Sequence, residues 1–180
     1  AIINNLANVF KNTYKYKEAE ELYKLSISKK NDYLNAYVNY GNLKRDLNKF
    51  EEAIELYKKA LINNNKVPSI HYMLAMAYQS LGNFKEAENF AKKTIKIDTK
   101  YTKADLLISR SRKYTPKDSH LIEMNEKIKN INLNSLEKID LYFAISKAYE
   151  DIGEMGQCFE YLEKGNELKR KNISFDLKFE

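Results

Sequence analysis

The sequence predicts an all-α protein of about ten helices in antiparallel pairs, and three observations support this prediction. A pattern of residues returns every 34 positions through the first hundred residues. Within each copy the apolar residues recur at intervals of three and four, which places them along one face of a helix. The chain of 180 residues has only 5 Gly and 2 Pro, so few positions interrupt a helix.

The repeat is clearest in four columns of residues that keep the 34-residue step. These columns are an alanine, an aromatic residue, a small residue and a pair in the preceding helix: Ala19, Ala53, Ala87; Tyr16, Phe50, Phe84; Ser26, Ala60, Thr94; and Leu6-Ala7, Tyr40-Gly41, Leu74-Ala75. Each copy reads as two helices joined by a short polar link. One such hairpin cannot bury its apolar face alone, so neighbouring hairpins are expected to stack around a continuous core.

These columns resemble the tetratricopeptide repeat, a family of 34-residue helix–turn–helix units. The resemblance covers residues 1 to about 100 as three units, 1–33, 34–67 and 68–100. It implies a right-handed α-α superhelix. Two columns depart from the family pattern: the tryptophan-like position holds Ile3, Tyr37 and His71, and the closing proline is replaced by Asn31, Asn65 and Thr99.

Residues 101–172 are predicted to form an irregular fourth unit and a final hairpin of the same solenoid. The irregular part is expected to restart a helix at a Thr115 cap with Pro116 in the first turn. Its expected buried stripe is Leu121, Ile122, Met124 and Ile128. The final hairpin spans Leu141–Gly153 and Met155–Arg170, with Cys158 where the repeats have alanine. Residues 173–180 are interpreted as a tail or linker.

The net charge of +6 raises the possibility of a nucleic-acid-binding protein. The lysines, however, alternate with glutamates at helical spacing, as in KEAEELYK, which is typical of a solvated helix face. Binding to a phosphate backbone requires a clustered basic footprint. The sequence therefore favours a protein partner over nucleic acid, and a basic solenoid that binds nucleic acid stays as the alternative.

The sequence also indicates the compartment. No apolar run approaches the length of a membrane span, and no secretory signal is visible. The lone cysteine has no partner for an internal disulfide, which fits a reducing compartment. We expect a cytoplasmic location without membrane attachment. The sequence leaves open whether a leader precedes Ala1.

No pattern in the sequence indicates an active site. The only histidines, His71 and His120, lie far apart and lack metal-ligand spacing, as does Cys158. His71 and Cys158 stand in repeat columns, which favours packing roles. The sequence contains no Gly-rich phosphate loop, and its acids alternate with lysines. We therefore expect no catalytic, cofactor-binding or metal-binding residues in this chain.

The resemblance implies a concave groove, lined by the first helices, that binds a partner peptide. Carried onto this chain, the groove residues are Asn4, Asn5, Asn8, Lys11, Asn35, Asn39, Asn42, Arg45, Tyr72, Met73, Met76 and Gln79. Asparagine both donates and accepts, so stacked asparagines can pair with an extended peptide backbone. Asn5 and Asn39 resemble the asparagine ladder in the repeats of O-GlcNAc transferase. In the third unit of this chain, Met73 interrupts the ladder. Alternatively, these asparagines are simply solvated residues of an Asn-rich chain.

The carboxylate clamp that binds chaperone tails is another use of this family. Asn8 and Asn39 match its two asparagines. Its cationic positions fall at Asn4, Ser69 and Met73, which carry no charge. A peptide with an acidic carboxyl terminus would find no charge-assisted donor there. The sequence therefore does not predict binding to chaperone tails.

The last third of the chain resembles the region that precedes the catalytic domain of bacterial tetratricopeptide-repeat sulfotransferases. The similarity lies in YTPKDSHLIEMNEKI (Tyr114–Ile128) followed by LYFAISKAYEDIGEMGQCFEYLEKGNELKR (Leu141–Arg170). It implies a non-catalytic repeat region that positions an acceptor or mediates self-association. Sulfuryl transfer would belong to a domain after Glu180, where a loop would bind phosphoadenosine phosphosulfate. A stand-alone adaptor is the alternative.

Overall fold

The structure, a computed structural model, describes residues 2–29, 34–62 and 64–172. Ten helices account for most of these residues: α1 (Ile2–Asn12), α2 (Tyr16–Lys29), α3 (Leu34–Asp46), α4 (Phe50–Ala60), α5 (Pro68–Ser80), α6 (Phe84–Ile97), α7 (Thr102–Ser111), α8 (Ser119–Asn130), α9 (Ser135–Ile152) and α10 (Met155–Asn172). Within the described residues there is no strand, which confirms the predicted all-α class. The predicted tail, 173–180, and the Asn31 turn lie outside the described residues.

The chain forms two compact units, Ala1–Phe90 and Ala91–Glu180. In the first, α1 packs on α2, α3 packs on both α2 and α4, and α4 packs on α5. Its core includes an apolar cluster around Ala19 and Tyr23 and another around Ala53 and Tyr57. The repeated alanines are completely buried, as their column predicts, because only a small side chain lets the helices approach closely.

Gly41 shows why the first unit needs a glycine at one helix crossing. A Cβ atom added at Gly41 would lie 2.5 Å from Cε1 of Tyr57, well inside van der Waals contact. The ring of Tyr57 is completely buried and occupies the space that a side chain would need. The helices α3 and α4 therefore approach each other through this glycine and this ring.

In the second unit α9 is the central helix, since α7, α8 and α10 all pack on it. Asn134 caps α9 through a capping box with Glu137, and Gly153 ends it with a φ of 81°. Tyr114, Met124 and Leu141 belong to its core cluster. Cys158 is buried in the column where the first unit has alanine, so the prediction of a packing position is confirmed.

A buried polar cluster crosses the second unit. Asp105 accepts hydrogen bonds from Nζ of Lys127 on both carboxylate oxygens, at 2.8 and 2.7 Å. Nε2 of His120 lies 3.2 Å from the same carboxylate, and Nδ1 of His120 lies 2.6 Å from the hydroxyl of Tyr114. Every member has its partners inside the unit, so His120 has a structural role here.

Two details of α8 differ from the sequence prediction. The helix begins at Ser119, and its cap is Asp118, which accepts from the backbone N–H of His120 at 2.9 Å. The predicted Thr115 cap is therefore wrong. The carboxylate of Asp118 is a better acceptor for the N–H groups of the first turn than the hydroxyl of Thr115. Nη2 of Arg112 lies 2.6 Å from Oδ1 of Asp118 and keeps that carboxylate in place. Ile122, predicted to be buried, is half exposed because it points away from the face of α8 that carries Leu121 and Met124.

No helix among the described residues combines the length and the apolar composition that crossing a bilayer needs.

Candidate functional site

All twelve residues predicted to line the groove lie on α1, α3 and α5, the first helices of the three predicted repeats. Asn5 and Asn35 are exposed, whereas Asn4 is buried. The other nine are half-buried: Asn8, Lys11, Asn39, Asn42, Arg45, Tyr72, Met73, Met76 and Gln79. Half-buried polar side chains on successive helices form a surface that is accessible and yet held in place by neighbours.

Two asparagines of this surface are fixed by tyrosines in the same way. The hydroxyl of Tyr23 donates to Oδ1 of Asn8 at 2.5 Å, and the hydroxyl of Tyr57 donates to Oδ1 of Asn42 at 2.8 Å. Both pairs are 15 residues apart and lie one repeat from each other. The tyrosine occupies the acceptor oxygen of each amide. The Nδ2 group of each asparagine has no hydrogen-bond partner in the described residues and remains available as a donor.

Burial explains why these two tyrosines stay protonated donors. The rings of Tyr23 and Tyr57 are completely buried. Burial disfavours the phenolate and raises the pKa of each hydroxyl to about 12. The hydrogen bonds to Asn8 and Asn42 therefore persist through the physiological range of pH.

A third asparagine pair links α1 to α3. Nδ2 of Asn39 donates to Oδ1 of Asn4 at 3.3 Å. Asn4 is buried, so its side chain supports Asn39 and does not reach the solvent-facing surface. Asn39 is half-buried and keeps its carbonyl oxygen available as an acceptor. Of the two asparagines predicted to form the ladder, Asn5 is exposed, and the side chain of Asn39 is held by its hydrogen bond to Asn4.

The positive charges of Lys11 and Arg45, at one end of this surface, are partly neutralised by Asp46. Nζ of Lys11 lies 2.8 Å from Asp46, and Nη2 of Arg45 lies 3.2 Å from the same carboxylate. Burial alone would raise the pKa of Asp46, but the hydrogen bonds and charges of Lys11 and Arg45 outweigh it and lower the pKa. Two cations share one carboxylate, which leaves a net positive charge at this end.

The third hairpin lacks the asparagine–tyrosine pair. Met76 stands one repeat after Asn42, and Ala91 stands one repeat after Tyr57. Met73 likewise takes the place of Asn39. The surface is therefore polar and rich in amides on α1 and α3, and thioether-lined on α5, where two half-buried methionines offer an adaptable apolar contact.

Sequence reasoning did not identify Tyr23 and Tyr57 as part of this site. Their only signal is the constant 15-residue separation from Asn8 and Asn42, repeated after 34 residues. A constant spacing between a polar residue on one helix and a tyrosine on the next indicates a recurring contact. This signal is visible only once the two helices of the hairpin are paired.

Comparisons with known proteins agree with this architecture. Family models described as tetratricopeptide repeat match residues 1–30, 32–100 and 139–172. No curated protein matches the sequence.

Solved structures of low sequence identity share the fold. A crystal structure of the MamA protein superposes with a TM-score of 0.72 at 18% identity, covering 99% of this chain and 96% of the other. A crystal structure of YrrB, described as a tetratricopeptide-repeat protein with an unusual peptide-binding site, gives 0.67 at 16% identity over 95% and 87%. The C-terminal part of a repeat protein from Cytophaga hutchinsonii gives 0.70 at 13% identity over 95% and 69%.

Proposed function

Because the chain belongs to the tetratricopeptide-repeat family, we propose that it is a non-catalytic scaffold that binds an extended segment of a partner protein along α1, α3 and α5. The fold is typical of protein–protein interaction. The observation that supports this use most directly is the repeated orientation of Asn8 and Asn42 by buried tyrosines.

The oriented amides define what the partner must offer. Asn8 and Asn42 each present a side-chain N–H₂ donor, so the partner supplies acceptors. Backbone carbonyls of an extended peptide recur at regular intervals and are acceptors whatever the peptide sequence. Asn39 adds a free acceptor oxygen for a peptide N–H. The groove is therefore suited to recognise a backbone.

The third hairpin supplies the contact that depends on the partner's sequence. Met73 and Met76 are half-buried on α5, one repeat after Asn39 and Asn42 of α3. Methionine side chains adapt their shape to different apolar groups. We infer that an apolar side chain of the bound segment contacts these methionines while its backbone bonds to the asparagines.

The test begins with a peptide selected from a random library displayed on phage, using the immobilised full chain. Its dissociation constant is then measured by calorimetry for the wild type, Asn8→Ala and Asn42→Ala. Each variant loses the hydrogen bond from its tyrosine and also one neutral hydrogen bond to the peptide. The bond to the peptide is worth about 1 kcal/mol, so the affinity is expected to fall about fivefold for each variant. The melting temperature serves as the second readout.

Asn130→Ala is the matched control, since Asn130 is an exposed asparagine on α8, outside the groove. It should leave the affinity unchanged. If Asn8→Ala and Asn42→Ala bind the selected peptide as tightly as the control does, the proposal fails. If they lose affinity only in proportion to a loss of folded protein, the asparagines are structural and the proposal fails as well.

We further propose that this scaffold is the repeat region of a tetratricopeptide-repeat sulfotransferase. The support is the order of motifs between Tyr114 and Arg170. Two of the most specific positions have packing roles in this chain: Asp118 caps α8, and Gly165 lies against Phe143, whose Cε1 atom would be 3.0 Å from an added Cβ. These residues therefore shape the helical region and carry no sulfuryl transfer.

The test of this second proposal is the reading frame after Glu180 in the source gene. An apolar strand followed by a loop of Gly with Thr or Ser would support a sulfotransferase. A stop codon at that point would leave a stand-alone adaptor. Binding of phosphoadenosine phosphosulfate by this chain alone would also contradict the assignment of a purely non-catalytic role.

A further inference from the structure

The 34-residue register of the first unit continues into α7. Ile108 of α7 stands one repeat after Leu74 of α5, and both side chains are completely buried. Arg110 stands one repeat after Met76 and two repeats after Asn42 of the groove. Arg110 is exposed. The face of α7 that corresponds by register to the groove therefore carries a cation where α3 carries an amide.

The corresponding position of α9 also carries a cation. Lys147 lies eleven residues before Cys158 of the alanine column (158 − 147), just as Asn42 lies eleven before Ala53 (53 − 42). Both Lys147 and Asn42 are half-buried. Asn42 reaches solvent although α3 is an inner helix, with α2 and α4 packed on it. The accessibility of this position is thus a property of the repeat and does not depend on an end of the chain.

Arg110 and Lys147 line one open concavity of the second unit, with a volume of about 460 Å³. Leu106 of α7 and Phe143 of α9 also line it, each four residues before one of the cations (110 − 106 and 147 − 143), and residues of α10 complete the lining. A separation of four residues places each apolar side chain on the same helix face as its cation. Leu106 and Phe143 are half-buried. The concavity therefore combines apolar walls with cations and has the size of a small binding site.

Positive charge predominates in this concavity. Among the described residues it is lined by three cations, Arg110, Lys147 and Lys169, and by one carboxylate, Glu150. Lys147 is already paired, since its Nζ contacts Asp151 and lies 3.6 Å from Glu150. Arg110 has no ion pair within the part of the chain that the structure describes. Its guanidinium is therefore available to an external carboxylate.

We propose that this concavity, the α7–α9 site, binds a segment of a partner protein in which an apolar side chain stands next to acidic ones. The apolar side chain packs on Leu106 and Phe143, and a neighbouring carboxylate pairs with Arg110. A guanidinium can hold a carboxylate through two parallel N–H donors, which makes it selective for this group. The site lies in the second unit and recognises side chains, so it does not depend on the backbone recognition proposed for α1, α3 and α5.

The charges favour an acidic protein segment over a nucleic acid. A phosphate backbone carries a charge at every nucleotide, and its binding requires several unpaired cations along its path. A phosphate close to Lys147 would face the carboxylates of Asp151 and Glu150. A single carboxylate can pair with Arg110 and avoid both. The apolar walls also have no role in contacts to phosphate.

Two short synthetic peptides test the proposal, each blocked at both ends and labelled with fluorescein. The first has a central phenylalanine between two pairs of glutamates, and the second has glutamines in place of the glutamates. Fluorescence anisotropy with the full chain at low salt gives their dissociation constants. The acidic peptide is expected to bind about tenfold more tightly than the glutamine peptide, and its affinity should fall as the salt concentration rises.

Variants of Arg110 locate the binding. Arg110→Gln should weaken the acidic peptide about fivefold, the effect of one accessible ion pair, and Arg110→Glu should weaken it further by placing a like charge in the site. Lys129→Gln is the matched control, because Lys129 is an exposed cation of α8 and its loss changes the net charge equally. It should leave the affinity unchanged. The melting temperature verifies that each variant is folded.

Four results would overturn the proposal. The first is equal binding of the acidic peptide and the glutamine peptide. The second is an Arg110→Gln variant that binds the acidic peptide as tightly as Lys129→Gln does. The third is a loss of affinity in Arg45→Gln but not in Arg110→Gln, which would place the acidic peptide in the first unit. The fourth is an oligothymidylate that binds more tightly than the acidic peptide and is weakened by Arg110→Gln, which would assign the site to nucleic acid.

Discussion

The hydroxyl of Tyr57 donates to Oδ1 of Asn42 over 2.8 Å, from the second helix of a hairpin to the first. The ring of the same tyrosine fills the space beside Gly41, the residue before Asn42 in the chain. One buried side chain thus determines how closely α3 and α4 approach and how the adjacent amide is oriented. The packing of the hairpin and the chemistry of its groove are therefore connected at Tyr57.

Tyr57→Phe should separate these two roles. The ring keeps its volume, so the packing against Gly41 is retained, and the loss of one hydrogen bond should lower the free energy of unfolding by about 1 kcal/mol. Asn42 then rotates freely, and the selected peptide should bind several-fold more weakly. Urea unfolding and calorimetry measure the two effects. Tyr14→Phe is the control, since Tyr14 is largely exposed; equal peptide affinities for the two variants would contradict this prediction.

The raised pKa values of the buried tyrosines predict a loss of stability at alkaline pH. The ordinary pKa of tyrosine is 10.0, and burial raises that of Tyr23 and Tyr57 to about 12. The folded state therefore retains protons that the unfolded state releases. The stabilisation that the two protonated hydroxyls contribute is complete below pH 10 and is lost as the pH rises through 12. Urea unfolding at successive pH values measures this slope.

The double variant Tyr23→Phe, Tyr57→Phe should reduce the alkaline slope. It should not abolish it, because burial also raises the pKa of Tyr114. A double variant with the slope of the wild type would show that these two hydroxyls do not carry the effect.

The lowered pKa of Glu20 predicts a loss of stability at acid pH. Burial alone would raise the pKa of Glu20, but hydrogen bonds from Lys24, Tyr40 and Lys44 outweigh it and lower the pKa from 4.5 to about 2. The stabilisation is present above pH 4.5 and is lost as the pH falls towards 2. Glu20→Gln should flatten this part of the profile and lower the free energy of unfolding at neutral pH by about 2 kcal/mol.

Glu21→Gln is the control for the acid prediction, because Glu21 is the neighbouring glutamate and is exposed. It should leave both the neutral stability and the acid slope as in the wild type. Equal acid slopes in Glu20→Gln and Glu21→Gln would contradict the assignment.

The sequence predicted the parts of the fold that repeated columns impose. Ala19, Ala53 and Ala87 are buried because every hairpin brings its helices together at the same point, and a point that recurs every 34 residues is visible as a column. His71 is also buried, stacked on Phe90, as its position in the large-residue column predicted. A packing constraint that recurs in every repeat can therefore be recognised from the sequence alone.

Outside the repeat the sequence was less informative. Thr115 and Asp118 are both acceptable caps; in the structure Asp118 caps α8, and its carboxylate pairs with Arg112. Hydrophobicity alone assigned Ile122 to the core, although the three- and four-residue spacing of Leu121, Met124 and Ile128 leaves it off their face of α8. The contacts of Asn8 and Asn42 were missed for a related reason, since they join side chains of two helices whose relative position the sequence does not state.

Gly41→Ala tests how tightly α3 and α4 are packed. The added methyl group would lie 2.5 Å from Cε1 and 2.8 Å from Cδ1 of Tyr57, and the buried ring has no space to move away. Overpacking of this kind costs about 1–3 kcal/mol, more than the gain in helix propensity from Gly to Ala. Gly156→Ala is the matched control, because nothing lies within 4 Å of its added Cβ. A Gly41→Ala variant as stable in urea as Gly156→Ala would contradict the packing.

The cluster around Asp105 predicts a large loss when one partner is removed. Lys127→Met leaves the carboxylate of Asp105, which is 1% exposed, without its bidentate cation. His120 at 3.2 Å cannot replace both hydrogen bonds, so we expect the free energy of unfolding to fall by about 3–5 kcal/mol. The double variant Asp105→Leu, Lys127→Met removes both charges and should recover most of this loss, because a paired buried charge adds little net stability over apolar packing. Thermal and urea unfolding of the single and double variants measure the difference. A double variant less stable than Lys127→Met alone would mean that the ion pair itself stabilises the second unit, contrary to this reasoning.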